Sequence, residues 1–356
     1  MEENDSYIYF SGATHVSTTE ECKIASFDLD HTLICPSSGR KFPQNENDWR
    51  WLFLNVQDKI NQYKANGYTC VIFTNQSNVK DHIRTKIAHL TQLLGVYALV
   101  SKTHDHNRKP DTGMWETFLR LNGIQSIHKD SFYCGDACGR PSDFSDSDLK
   151  FAINLGICFY HPEVVFKGEP ETTYQLLNQI PPLATAEYEM ELFEKPLTEN
   201  KSLRIVFMIG PPASGKSSFS RHPVFGEYVV VNKDTLKTEL KCIKKIKEAV
   251  EAGKNIIVDN TNPSAEGRQK YLYLVDNRYV KIAVYFKIPN IHAMHNAHYR
   301  QLTDPSAKHI PAVVYHTYSS RLDEPTTPSE FDEIIQITQL SSAYVANTSL
   351  YKRHYL

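Results

Sequence analysis

The segment Leu203–Ile209 (LRIVFMI) is a strand-length apolar run that leads into Gly210-Pro211-Pro212-Ala213-Ser214-Gly215-Lys216-Ser217. This octet has the spacing G-x-x-x-x-G-K-[S/T]. It stands between a predicted strand and a predicted helix, the context that separates a phosphate-binding loop from a chance match. Its backbone N–H groups are expected to cradle phosphates, helped by the positive end of the following helix. Lys216 is expected to reach the β- and γ-phosphates of ATP, and Ser217 to ligate Mg2+. Gly210, Ser214, Gly215, Lys216, Ser217 and Ser218 are therefore the expected nucleotide contacts.

The loop does not say what receives the phosphate. Further strands are predicted at Tyr228–Val231, Asn255–Val258 and Val280–Ile288, with helices between them. The run YVVVNKDTL ends in Asp234, a carboxylate placed to accept a proton from an attacking hydroxyl. NIIVDNTNPS ends another strand with Asp259-Asn260-Thr261-Asn262. IHAMHNAHYRQLTD reads as a helix with His292, His295, His298 and Arg300. No acid or cysteine completes a zinc set there, and Arg300 is placed to balance transition-state charge. The basic run KCIKKIKEAVEAGK reads as a solvated helix face.

The N-terminal half repeats the same rhythm. Strands are predicted at Ile24–Leu29, Thr69–Phe73, Ala98–Ser101, Ser131–Cys134 and Gly156–Tyr160. Helices are predicted at Val56–Ala65, Val79–Leu94 and Thr112–Leu121, each stopped by a nearby glycine. Alternation of this kind gives a parallel sheet with helices on both faces. Chemistry is then expected at the carboxyl ends of the strands. Asp28 and Asp30, in SFDLDHTLI, lie two apart and face the same side of an extended chain. One carboxylate there can attack phosphorus. The other can hold a proton, its affinity raised by its neighbour and by partial burial.

The stretch from Lys167 to Lys201 holds four prolines and shows no clear strand. The expected division is a first domain at 1–166, a linker at 167–201 and a second domain at 202–356. Composition narrows the function. A net charge of −2 and a pI near 6.7 argue against coating of duplex nucleic acid, so any such contact should be local, at an end. No apolar run approaches the ~20 residues that span a membrane. The seven scattered cysteines read as reduced thiols of an intracellular protein.

Asp28 and Asp30, then Thr74 after VIF, then Lys109 in HNRKP, then Asp136 in SFYCGDACGR, each at a strand tip, resemble the four-motif signature of the haloacid-dehalogenase phosphatases. The resemblance implies that Asp28 is the nucleophile and that Asp30 protonates the leaving oxygen and then activates water. It implies that Thr74 and Lys109 bind phosphoryl oxygens, and that Asp28, the Asp30 carbonyl and Asp136 hold Mg2+. Asp143 and Asp148 are further acids nearby. Asp143 could orient the motif, and a simple helix-start role fits either one.

The whole order, SFDLDHTL, VIFTNQ, RKP-TGMW, GDACGR, DFS, NLGICFYHP, then GPPASGKSSF, VNKDTL, VDNTNP and HIP, is similar to the eukaryotic-type polynucleotide kinase 3′-phosphatases. The implied fold is α/β in two domains, a haloacid-dehalogenase-like Rossmannoid phosphatase followed by a P-loop kinase. The implied activity removes a 3′-phosphate and moves the γ-phosphate of ATP to a 5′-hydroxyl, with DNA ends as partners and RNA as the alternative. Asp234 becomes the general base for the 5′-hydroxyl, and Thr74, Asn75, Arg108, Lys233 and Asn260 become substrate contacts. A nuclear location follows from a repair role, and a monomer is expected. Three positions depart from the family pattern: His31 after the second aspartate, Lys233 before Asp234, and His298 where an arginine is expected. The stretch before Ile24 is too short for a forkhead-associated sandwich, so phosphopeptide recruitment by that route is not expected. The rival readings are a metabolite kinase–phosphatase and a degenerate homologue that only holds ends.

Overall fold

The computed structural model describes residues 1–12, 21–41, 43–77, 79–174, 176–185, 188, 190–194 and 202–355. The chain divides into two compact units, Met1–Gln179 with Arg353–Leu356, and Ile180–Lys352.

In the first unit the elements run β1 (Glu2–Glu3), β2 (Tyr7–Ser11), β3 (Lys23–Phe27), β4 (Ile34–Cys35), β5 (Arg50–Trp51), α1 (Val56–Ala65) and β6 (Tyr68–Asn75). There follow α2 (Asp81–Leu94), β7 (Tyr97–Ser101), α3 (Gly113–Leu121), β8 (Phe132–Cys134), α4 (Ser147–Leu155), β9 (Cys158–Tyr160) and α5 (Pro162–Lys167). Seven strands form one sheet in the order β1-β2-β7-β6-β3-β8-β9. From β7 to β9 the pairing is parallel. Successive residues of β6 feed opposite faces, as the period of two requires. Ile72 packs with Val56 and Ile60 of α1 and with Ile87 and Leu90 of α2. Val71 and Phe73 pack with Met114 and Phe118 of α3 and with Phe151 of α4. Full burial of each such side chain contributes about 1.5–3 kcal/mol. α2 ends at Gly95, whose φ of 60° is the left-handed C-cap that only glycine adopts without strain.

One expectation is corrected here. The sheet is not all parallel and β3 is not its first strand. Tyr7–Ser11 pairs antiparallel with β7, from Tyr7 opposite Ser101 to Ser11 opposite Tyr97. It covers an edge that would otherwise expose unpaired N–H and C=O groups.

The second unit continues with β10 (Leu183–Ala184), α6 (Glu191–Glu194), β11 (Leu203–Ile209), α7 (Lys216–Phe219), β12 (Val229–Val231), α8 (Lys233–Leu236), α9 (Glu239–Glu251), β13 (Ile256–Asp259), α10 (Ala265–Leu272) and β14 (Tyr279–Phe286). Last come α11 (Asn290–Thr303), α12 (Ala312–Ser320), β15 (Glu333–Ile337), β16 (Leu340–Ser341) and α13 (Thr348–Tyr351). Five strands pair in parallel in the order β12-β13-β11-β14-β15. Alternate residues of β11 again serve two cores. Val206 and Met208 meet Phe219, Ala293 and Tyr315, while Ile205 and Phe207 meet Cys242, Ile246 and Tyr271. The proline-rich stretch read as strandless contains β10, a two-residue strand parallel to β16.

In each sheet the chain visits strands on one side of a central strand and then strands on the other. The central strands are β3 and β11. A crevice opens at the carboxyl end of such a strand. Asp28 follows β3 and the glycine-rich loop follows β11. Among the described residues no helix is long and apolar enough to cross a membrane.

Candidate active sites

In the first unit Asp28 directly follows the buried end of β3, and its N–H donates to Cys134 O of the neighbouring β8 at 2.8 Å. Its carboxylate lies 2.6 Å from Lys109 Nζ. The other two protons of that ammonium go to Asp148 Oδ1 at 2.8 Å and to the Tyr133 hydroxyl at 2.6 Å, so all three donors are used. Asp148 also accepts from Ala137 N at 3.0 Å. Gly135 makes room for this: a Cβ there would stand 2.6 Å from Asp148 Cβ.

Asp28, Asp136 and Asp148 each offer one oxygen within 4.8 Å of the others. Counted as ionised, three carboxylates face one ammonium, a local excess of negative charge in a buried place. The shifts follow that excess. Burial pushes Asp28 well above the usual carboxylate range, with Lys109 opposing and Asp148 and Asp136 adding. Asp136 is pushed up to about 7 by burial and by Asp148. Burial works against the Lys109 charge, but Asp148 and Asp28 outweigh it and its affinity for a proton rises. A hard divalent cation such as Mg2+ suits an all-oxygen set of this kind and would neutralise it.

Asp30 is separate from that cluster. Its Oδ2 accepts from Gln76 Nε2 at 2.7 Å and its Oδ1 lies 3.4 Å from Lys86 Nζ. Gln76 also reaches Thr74 Oγ1 at 3.0 Å, which links the two expected residues. His31 takes a left-handed conformation, φ 61°, and its N–H closes on Ile34 O at 2.7 Å. The departure at His31 therefore falls on a tight turn, where glycine is the easier fit. Asn75, expected to touch substrate, uses its amide on the main chain of Lys109, donating to its O and accepting from its N, both at 3.0 Å. Arg108 Nη1 is, among the described residues, a buried donor with no partner. Asp143 accepts from the N–H groups of Cys138 and Arg140 and from Arg140 Nε, so it shapes the loop after Asp136.

In the second unit the loop 210–217 leaves β11 and enters α7. Gly210 sits so close to β14 that a Cβ would stand 2.7 Å from Phe286 Cβ. Gly215 takes φ 100° as the N-cap of α7. Lys216 Nζ donates to the carbonyls of Gly210 and Pro211 and to Ser214 Oγ. Burial lowers its proton affinity to about 8. Ser217 Oγ donates to Asp259 Oδ1 at 3.5 Å and Ser220 Oγ to Asp259 Oδ2 at 3.3 Å. Ser217 and Asp259 together fit a Mg2+ site beside a phosphate chain.

Asp234 is exposed in the first turn of α8. That turn is tied to the tip of β13, since Asn232 Nδ2 donates to Asp259 O at 2.6 Å and Lys233 N to Asn260 Oδ1 at 2.8 Å. Asn260 thus holds in place the turn that carries Asp234. Asn296 of α11 donates to Ala213 O in the loop at 3.1 Å. Arg300, exposed on the same helix, lies one turn further along and shares that face. The His295 ring pairs with Tyr351 O at 2.8 Å, a structural use.

Two acids carry more than the sequence reading assigned them. In sequence Asp148 fits a helix-start acid, and Asp259 stands at a strand end. Both are buried, at 2% and 6% exposure, and both hold groups that the reading singled out, Lys109 and Ser217.

A family model described as polynucleotide kinase 3 phosphatase matches residues 23–166, and one described as AAA domain matches 205–325. The chain is 32% identical over 339 residues to a bifunctional polynucleotide phosphatase/kinase of Schizosaccharomyces pombe, covering 88% of this chain and 79% of that one. It is 28% identical over 402 residues to a putative bifunctional polynucleotide phosphatase/kinase of Acanthamoeba polyphaga mimivirus, covering 99% and 93%. A polynucleotide 3′-phosphatase of Saccharomyces cerevisiae is 30% identical over 210 residues, covering 41% of this chain and 87% of its own length. With a phosphatase unit built around Asp28 and a kinase unit built around the 210–217 loop, the chain belongs to the bifunctional polynucleotide phosphatase/kinase family.

Proposed function

We propose that the chain heals broken DNA strands by removing the 3′-phosphate and phosphorylating the 5′-hydroxyl, so that the ends can be ligated. The observation that carries the phosphatase half is the buried set Asp28, Asp136 and Asp148 around Lys109. Asp28 attacks phosphorus while the bond to the 3′-oxygen breaks, and Asp30 gives that oxygen its proton. Water then attacks the aspartyl-phosphate, Asp30 takes the proton back, and inorganic phosphate leaves. Asp28, the Asp30 carbonyl and Asp136 would hold Mg2+, which would supply neutralisation of phosphoryl charge. Lys109 keeps the Asp28 oxygen in place, Thr74 binds a phosphoryl oxygen, and the unpaired Arg108 Nη1 is a ready donor for a substrate phosphate.

In the kinase half, Asp234 accepts the proton of the 5′-hydroxyl as its oxygen attacks the γ-phosphorus of ATP and ADP leaves. Lys216 and Arg300 balance the charge of the transferring group, and Lys233 contacts the substrate. The relatives named above support a polynucleotide substrate. A repair role places the enzyme in the nucleus.

The deciding experiment is incubation with a nicked duplex bearing 3′-phosphate and 5′-hydroxyl, Mg2+ and ATP, beside the same nick made in RNA. Conversion of both DNA ends at a higher rate than the RNA ends is expected. No conversion of either end at any enzyme level refutes the reading. End binding should also weaken as salt rises, because phosphate contacts dominate.

A further inference from the structure

The loop that carries Lys109 is held from two directions, and one of them uses residues far along the sequence. On one side stands Asn75, with its two bonds to the Lys109 main chain. On the other stands Asn154 of α4, whose Nδ2 donates to Pro110 O at 2.9 Å. The same amide makes a two-point pair with His354, donating to its O and accepting from its N, both at 2.7 Å. Arg353 Nη1 donates to Thr112 Oγ1 at 2.7 Å and lies 3.5 Å from Glu116 Oε1. Thr112 is the N-cap of α3 and is itself buried. Tyr355 is buried at 4% exposure. The segment beginning at Arg353 is thus an integral part of the first unit, although it follows the kinase sequence.

The placement of these bonds gives them a function. Pro110 and Thr112 flank the exit from Lys109. Asn154 sits on the helix whose first turn carries Asp148, the second carboxylate on Lys109. Asn154 therefore fastens the loop that bears the ammonium to the helix that bears its partner. Arg353 and His354 fix the Asn154 rotamer and the start of α3. We propose that Asn154 and the Arg353–His354 segment form a clasp that positions Lys109 for phosphoryl transfer, a role that rests on the phosphatase reading given above. A displacement of about 1 Å at a reacting group can lower a rate about 10²-fold.

The test uses the full chain with Mg2+ and two substrates, a 3′-phosphorylated oligonucleotide and a small aryl phosphate. Asn154→Asp keeps the shape and removes both donated bonds. Arg353→Ala removes the bond to Thr112, and Arg353→Lys retains a donor. The expected result is a fall in kcat of about 10- to 100-fold in Asn154→Asp on both substrates, with KM within about twofold. Arg353→Ala should fall in the same direction and Arg353→Lys should recover most of the loss. A thermal melt reports that the phosphatase unit is folded, and kinase turnover of the same preparation reports the same of the second unit. A chain ended at Lys352 should show the same selective loss.

An unchanged kcat in Asn154→Asp would overturn the clasp. So would a loss that tracks thermal unfolding and vanishes on cooling the assay, the mark of a merely structural bond. Wild-type protein that cleaves the aryl phosphate but not the oligonucleotide would sink the polynucleotide reading while leaving the clasp to stand or fall on the aryl arm. Wild-type protein that cleaves neither overturns both.

Discussion

Lys109 and Asp148, 39 residues apart in sequence, meet with Nζ 2.8 Å from Oδ1, and their side chains are 2% and 3% exposed. Asp148 also accepts from the Tyr133 hydroxyl and from Ala137 N, so although Asp28 still pairs with the ammonium, weakening these buried bonds costs about 1–3 kcal/mol. Asp148→Asn should therefore lower the melting temperature of the phosphatase unit and reduce phosphate release at least about 100-fold. Calorimetry and a 3′-phosphate release assay check this. Unchanged turnover would show that Asp148 is dispensable to Lys109.

The two chemistries should separate cleanly. Asp28→Ala removes the nucleophile, so 3′-dephosphorylation should vanish while 5′-phosphorylation persists. Lys216→Ala should do the reverse. Labelled-end assays on one oligonucleotide read both activities. Retention of both by both variants would mean that the sites are misassigned.

Lys216 gives a signed pH dependence. Burial lowers its folded-state proton affinity to about 8, against an ordinary value of 10.5. Between those limits the unfolded chain binds more protons than the folded one, so stability without nucleotide should rise with pH across that window. ATP restores a partner for the charge, so its binding near pH 8.5 should take up a proton. Titration calorimetry in buffers of different ionisation heats measures that uptake. Zero uptake would mean that Lys216 is already charged.

Arg268 is fully buried and forks onto Glu330, with Nε–Oε1 at 2.6 Å and Nη2–Oε2 at 2.9 Å. It also donates to the carbonyls of Asn262 and Pro263. Arg268→Ala should destabilise the kinase unit by about 3–5 kcal/mol. Because those carbonyls belong to the loop that accepts from Gly210 N through Thr261 O, KM for ATP should rise as well. Denaturant melts and ATP titrations would show either effect.

The acids at strand tips were legible in sequence because a buried strand that ends abruptly in carboxylates has few other uses. Asp28, Asp136 and the 210–217 loop all fall where that logic puts them. Asp148 was not legible. An acid in the first turn of a helix reads as a partner for the helix dipole, and its burial depends on Lys109 and Ala137, which only the fold brings near. Asn75 and Asn260 make backbone bonds that the sequence does not show. Each lies beside a reactive residue, but each uses its amide to hold backbone. Tyr7–Ser11 was missed because its partner β7 comes only after α1, β6 and α2, and a pairing so distant in sequence leaves no local mark.

Gly135 shapes how this half of the chain can drift. The Asp148 side chain occupies the space that a side chain at 135 would need, so the two positions cannot vary independently. In a randomised library selected for phosphate release, glycine should persist at 135 while the solvent-facing residues of the same turn diversify. Alanine should appear there only among unselected clones, paired with a shorter residue at 148 and without phosphate release.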